Sequence, residues 1–68
     1  MNGYLEQLID IFRGSVWDGN LISKTHRDEL LKAGLVQKAN GWNIITPKGV
    51  MYLSELGLLV GMESKTRR

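Results

Sequence analysis

The chain has 68 residues, 43% of them hydrophobic and 24% charged, with a single histidine and no cysteine. That is the composition of one small folded domain, and it excludes a disulfide scaffold, a thiol nucleophile and a zinc knuckle. Ordering so short a chain costs on the order of 100 kcal/mol at roughly 1.5 kcal/mol per residue. Nearly every large apolar side chain must therefore be buried, and little surface remains for an elaborate active site. A non-catalytic protein without metal or other cofactor is expected.

No run approaches the roughly 20 apolar residues of a membrane span. The opening Met1-Asn2-Gly3-Tyr4-Leu5-Glu6 has neither the cationic region nor the apolar core of a secretion leader. Both features point to a cytoplasmic protein with no membrane partner. The net charge of +2 is unevenly spread. Residues 1–23 hold Arg13 against Glu6, Asp10 and Asp18, a net of −2. Residues 24–48 hold Lys24, Arg27, Lys32, Lys38 and Lys48 against Asp28 and Glu29, a net of +3. A polyanion would meet the middle of the chain.

In chain order, Leu5, Leu8, Ile9 and Phe12 fall at helical spacing with Glu6, Gln7, Asp10 and Arg13 between them. This predicts an amphipathic helix with one buried stripe, ended by Gly14 and Ser15. The segment from Gly14 to Ile22 reads as extended and turn-like. Asp18-Gly19-Asn20 forms its turn, with Trp17, Leu21 and Ile22 as core contacts on either side. Ser23 and Thr25 are both good helix caps, and Asp28 follows Thr25 at capping-box distance. A second helix is predicted over Lys24 to Ala33, with Leu30 and Leu31 inward and Gly34 at its stop.

Next, Leu35-Val36-Gln37-Lys38 and Trp42-Asn43-Ile44-Ile45-Thr46 flank Ala39-Asn40-Gly41. Asn-Gly between β-prone runs signals a two-stranded hairpin, because both residues tolerate positive φ. Thr46-Pro47 then supplies a cap and a first-turn proline for a third helix carrying Val50, Leu53, Leu56 and Leu59 or Val60. Gly57 and Gly61 weaken its end. Residues 1–62 are thus expected to form one domain and 63–68 a frayed basic tail. The stretch Gly57 to Met62 is read either as a buried last turn or as an apolar patch for dimerisation.

The run from Ser23 through Leu30-Leu31-Lys32-Ala33-Gly34-Leu35-Val36, the hairpin, and Ile45-Thr46-Pro47-Lys48-Gly49 resembles the winged helix-turn-helix superfamily. There a recognition helix ends in L-x-x-x-G-L-[VI], two strands form a wing, and L-T-x-x-G opens the closing helix. The likeness covers about residues 20–56 and extends in particular to small bacterial repressor modules of the multiple-antibiotic-resistance and phenolic-acid types. Such proteins usually carry a full helix where this chain has only Gly14 to Ile22.

The resemblance implies an α+β, mainly helical fold. Its parts are a minimal winged helix of first helix, short extended segment, recognition helix, two-stranded wing and closing helix. It also implies double-stranded DNA as partner for a small transcriptional regulator of phage or prokaryotic type, with tight sequence-specific binding needing a homodimer. Lys24, Thr25 and Arg27 would face base edges in the major groove, Arg27 foremost because its planar fork matches guanine. Ser23 would meet phosphate at the helix N-terminus, Lys38, Asn40 and Asn43 would serve from the wing, and Lys48 would add a phosphate contact.

Other readings compete with these. The cations are equally a solvated face balanced by Asp28 and Glu29, which would suit a protein-docking adaptor on the same frame. His26 is either a base reader or a histidine at the core edge. Trp17 and Trp42 are stacking platforms for single-stranded nucleic acid or anchors of core and wing.

Overall fold

The computed structural model describes residues 3–58. Three helices and a three-stranded antiparallel sheet make a small α+β protein, mainly helical. Helix α1 spans Gly3–Arg13, strand β1 Val16–Trp17 and a 3-10 turn Asp18–Asn20. Helix α2 spans Lys24–Lys32, strands β2 and β3 Val36–Ala39 and Trp42–Ile45, and helix α3 Pro47–Glu55.

The helix ends follow from local backbone chemistry. Ser23 caps α2, its Oγ accepting from His26 N at 3.3 Å. At the other end Gly34 takes φ +78°, and Gly34 N and Leu35 N donate to the Leu31 and Leu30 carbonyls at 3.1 and 3.0 Å. That pairing satisfies carbonyls the helix leaves open and turns the chain into β2. Thr46 caps α3 by accepting from Gly49 N at 3.0 Å, with Pro47 behind it. The same arrangement as at Gly34 closes α3, with Gly57 at φ +74°. The third helix is therefore shorter than its apolar spacing suggests, and Leu56, expected inward, is 47% exposed. Residues 59–68, including the rest of the apolar stretch and the basic tail, lie outside the described residues.

The hairpin forms as its turn dictates. Asn40 and Gly41 both take positive φ, +52° and +85°, and the register pairs Ala39 with Trp42 and Val36 with Ile45. The sheet has a third member that was not expected as a strand. Val16 and Trp17 pair with Asn43 and Trp42, giving the order β1-β3-β2. Two residues are too few to show an alternating pattern in sequence, so only their distant partner reveals them.

The core joins Leu8 and Ile11 of α1, Val16, Leu30 of α2, Leu35, Val36 and Leu53 of α3. On α1 the buried stripe lies one step from its expected place, with Gln7, Leu8 and Ile11 innermost and Ile9 and Phe12 at the margin. Gln7, expected among the solvated positions, is fully buried because its Oε1 accepts from Ser23 N at 2.8 Å. That bond fastens α1 to the start of α2. Where α3 crosses the base of the hairpin the packing is tight. A Cβ on Gly49 would lie 2.2 Å from the Leu35 carbonyl oxygen and 2.7 Å from Ile45.

Candidate functional site

Helix α2 with its cap Ser23 and the hairpin carry the residues expected to meet double-stranded DNA except Lys48, which sits in the first turn of α3. Lys24 and Thr25 are exposed in the first turn of α2. Beside them Ser23 is half-buried, and both its capping oxygen and its backbone N–H are engaged within the protein. Asn40 stands exposed at the hairpin tip. Lys48 lies at the far end of α2, its side chain running past Gly34, so that a Cβ there would be 3.7 Å from its Cδ and Nζ. An ammonium in that place complements the carbonyl end of the helix.

Arg27 departs from expectation. Its side chain is not presented outward but lies inward, one turn before Leu30, and the residue is 8% exposed. Nη1 donates to Asp18 Oδ1 at 2.7 Å and to Asn43 Oδ1 at 3.1 Å, while Nε donates to Asp28 Oδ1 at 2.9 Å. A guanidinium so engaged has no free edge for a base, and Arg27 is a structural tie between α2, the 3-10 turn and β3. Asn43 is likewise withdrawn from any ligand. It is fully buried, and its Nδ2 donates to the Val16 carbonyl at 3.0 Å and to Asp18 Oδ1 at 2.9 Å.

Asp18 is the hub of this network. It accepts from Asn43 and Arg27 on one oxygen and from Lys38 Nζ at 3.0 Å on the other. The Asn43 amide, then Lys38 and Arg27, hold its carboxyl down to about 2 against an ordinary value of 3.8. Lys38 remains 42% exposed, but its charge is paired. Lys24 and Lys32 stand beside Glu29 and Asp28, the latter also pairing with Arg27, so these groups together with Asp18 and Lys38 keep a net charge of +1.

The network was not read from sequence, although its trace was there. The Asn40-Gly41 turn fixes a register that puts Lys38 and Asn43 opposite each other, on the face shared with Val36 and Ile45. A polar residue on a core face needs a partner, and Arg27 lies on the inward side of α2 three positions before Leu30.

His26 lies at the edge of the core, half-buried and edge-on to Tyr4 with ring centroids 6.5 Å apart. Burial, with the nearby Tyr52 and Glu29 charges, pushes the Tyr4 hydroxyl up from 10.0. Trp17 and Ile22 are not core contacts: they are 44% and 59% exposed, while Leu21 does pack against the core. Strand alternation explains Trp17, since Val16 points inward and its neighbour must point out. Trp42, at 45% exposed, meets Trp17 edge-on at 5.3 Å.

Among the described residues no three His, Cys, Asp or Glu side chains gather as metal ligands, and no helix is long and apolar enough to cross a membrane. No protein-family model matches the chain, and no curated protein or solved structure is significantly similar to it.

Proposed function

We propose that the chain is a non-catalytic, double-stranded-DNA-binding protein on a minimal winged-helix frame, acting as a small transcriptional regulator. One observation carries this reading. Helix α2 leads through Gly34 directly into an antiparallel Asn-Gly hairpin, the strand order is β1-β3-β2, and α3 closes the base. In that frame α2 is the reading helix and the hairpin the wing. The 3-10 turn at Asp18–Asn20 stands where a helix-turn-helix has its preceding helix, and the Arg27 network supports α2 in place of that missing packing.

The contact set is narrower than the resemblance alone implies. Lys24 and Thr25 face base edges and the first turn of α2 meets phosphate, with Ser23 as its cap. Lys38 and Asn40 contact the backbone from the wing, and Lys48 adds a phosphate contact. Arg27 holds the frame. Two cations on phosphates, Lys38 and Lys48, correspond to a slope of log K against log[salt] of about −1.8. A fluorescence-anisotropy titration of labelled duplex at low salt tests the reading, and absence of binding at micromolar protein ends it. One module covers little DNA, so sequence-specific affinity calls for a homodimer on a two-fold site.

A second reading has its own support. Lys38 is paired to Asp18, and Asp28 and Glu29 offset much of the positive charge of α2, which suits a protein-docking adaptor better than a polyanion binder. Recovery of one stoichiometric protein partner, with no salt-sensitive duplex affinity, decides for it.

A further inference from the structure

We propose that the outward groove of α1 is the surface through which two copies of the chain pair, α1 lying antiparallel on α1 across a two-fold axis. The inference rests on the homodimer that the DNA reading calls for and gives it an interface. Glu6, Ile9, Asp10 and Arg13 of α1, with Ile22 from the segment before α2, line one open groove of about 390 Å³. The four helix residues fall at i, i+3, i+4 and i+7, so they form a single stripe two turns long. Leu8 and Ile11 hold the core face of the same helix.

This stripe is incomplete within one chain. Ile22 is 59% exposed, although it sits beside the half-buried Ile9 in the groove. Glu6, Asp10 and Arg13 make no ion pair among the described residues. They differ in this from Asp18, Arg27 and Lys38, whose charges are engaged inside the fold. An apolar floor edged by uncommitted charges of both signs is a pattern that an outside partner completes.

The order of those charges selects the partner. Along α1 they run acid, acid, base, with Ile9 between the first two. A parallel second helix would set Glu6 against Glu6 and Arg13 against Arg13. An antiparallel copy, with the two-fold axis between Ile9 and Asp10, instead sets each Glu6 against Arg13 of the other copy. Seven residues separate them, about 10.5 Å along the helix, so both pairs close in one register. Ile9 and Ile22 of the two copies then meet around the axis. Asp10 stands there in duplicate and unmatched, which limits the affinity. A nucleic acid is excluded by the same carboxylates. The contact is one helix about 16 Å long and about 10 Å wide, far less than the roughly 800 Å² per partner of a tight complex. Pairing in free solution is therefore weak. Two chains on adjoining DNA half-sites are held at a high effective concentration, and there a weak contact suffices.

The test is sedimentation equilibrium of the full chain without DNA. A monomer–dimer equilibrium with a dissociation constant below about 1 mM is expected, weakening from about 50 to 500 mM salt. Asp10→Asn should tighten it about threefold or more. Glu6→Arg and Arg13→Glu should each weaken self-association at least about tenfold, with unchanged thermal unfolding because both side chains are exposed. Mixed in equal amounts, those two variants should pair with each other, since one then offers two bases where the other offers two acids. A parent that stays monomeric at about 2 mM overturns the interface and leaves the duplex titration to judge the DNA reading. A dimer that both single variants retain, or variants that do not pair when mixed, place the contact elsewhere and also overturn it. So do concentration-independent NMR contacts of Ile22 with residues 59–68, which assign the groove to the chain itself.

Discussion

Replacing Arg27 with alanine separates a side chain that reads a ligand from one that holds the fold. The three hydrogen bonds it makes are unequal. The bond to Asp28 reaches a carboxylate whose side chain is 62% exposed, and such a contact is worth about 0–1 kcal/mol. The bond to Asn43 ends on a fully buried oxygen, and leaving that oxygen unpaired costs about 1–3 kcal/mol. Loss of the packed aliphatic stem adds to this. The expected total is about 3 kcal/mol, which in a domain of this size lowers Tm by about 10–25 °C.

Thermal and urea unfolding followed by circular dichroism measure the loss directly. Lys38→Ala, which removes a partly exposed partner of the same carboxylate, should cost about 1 kcal/mol or less. A paired substitution sharpens the comparison. Arg27→Met with Asn43→Leu removes that donor and acceptor together but also strips the Val16 carbonyl and Asp18 Oδ1 of the Asn43 amide, so it should recover little of the stability that Arg27→Ala loses. If Arg27→Ala unfolds within about 0.5 kcal/mol of the parent, the guanidinium is not a structural tie.

Asp18 gives a pH prediction. Its folded pKa lies below its unfolded value, so its contribution is present above about pH 4 and is lost as the pH falls through about 2. Denaturation midpoints measured from pH 5 to pH 2 should therefore fall less steeply in Asp18→Asn than in the parent. Two glycine substitutions should differ in kind. Gly34→Ala meets only ordinary contacts and costs about 1–2 kcal/mol of left-handed backbone strain, whereas Gly49→Ala forces α3 off the Leu35 carbonyl and should cost more, as urea midpoints will show. For DNA, Lys38→Ala and Lys48→Ala should each weaken all duplexes alike and reduce the salt slope by about one unit in anisotropy titrations. Equal slopes in parent and variants would remove those lysines from the interface.

What sequence conveyed well was local. Gly34, Asn40-Gly41 and Thr46-Pro47 each mark a backbone conformation that few other residues adopt, so the ends of α2, the hairpin tip and the start of α3 were legible at once. What it conveyed poorly was nonlocal. Asp18, Arg27 and Asn43 are mutual partners across separations of 9, 16 and 25 residues. Each taken alone looks like a solvated or ligand-facing residue. The inward position of Arg27 gains its partner only through the pairing of β1 with β3, which brings Asp18 beneath α2. The tryptophans misled for a related reason. Their size argues for the interior, but a strand has two faces, and Val16 and Asn43 already occupy the inner one.

The base of the hairpin is clasped independently of its strands. Thr46 N donates to the Leu35 carbonyl at 3.1 Å, and Thr46 Oγ1 donates to the Gly34 carbonyl at 2.7 Å while capping α3. One threonine thus joins the exit of α2, the root of the hairpin and the entry of α3. The eleven residues from 35 to 45 behave as a loop whose ends are already closed. Lengthening such a loop at its tip costs only the slow logarithmic growth of closure entropy, about 0.6 kcal/mol per doubling. The hairpin tip is in this sense the part open to change: residues added between Asn40 and Gly41 should leave α1, α2 and α3 in place. Variation in reach can accumulate at that tip while the helices below stay under the constraints of a packed core.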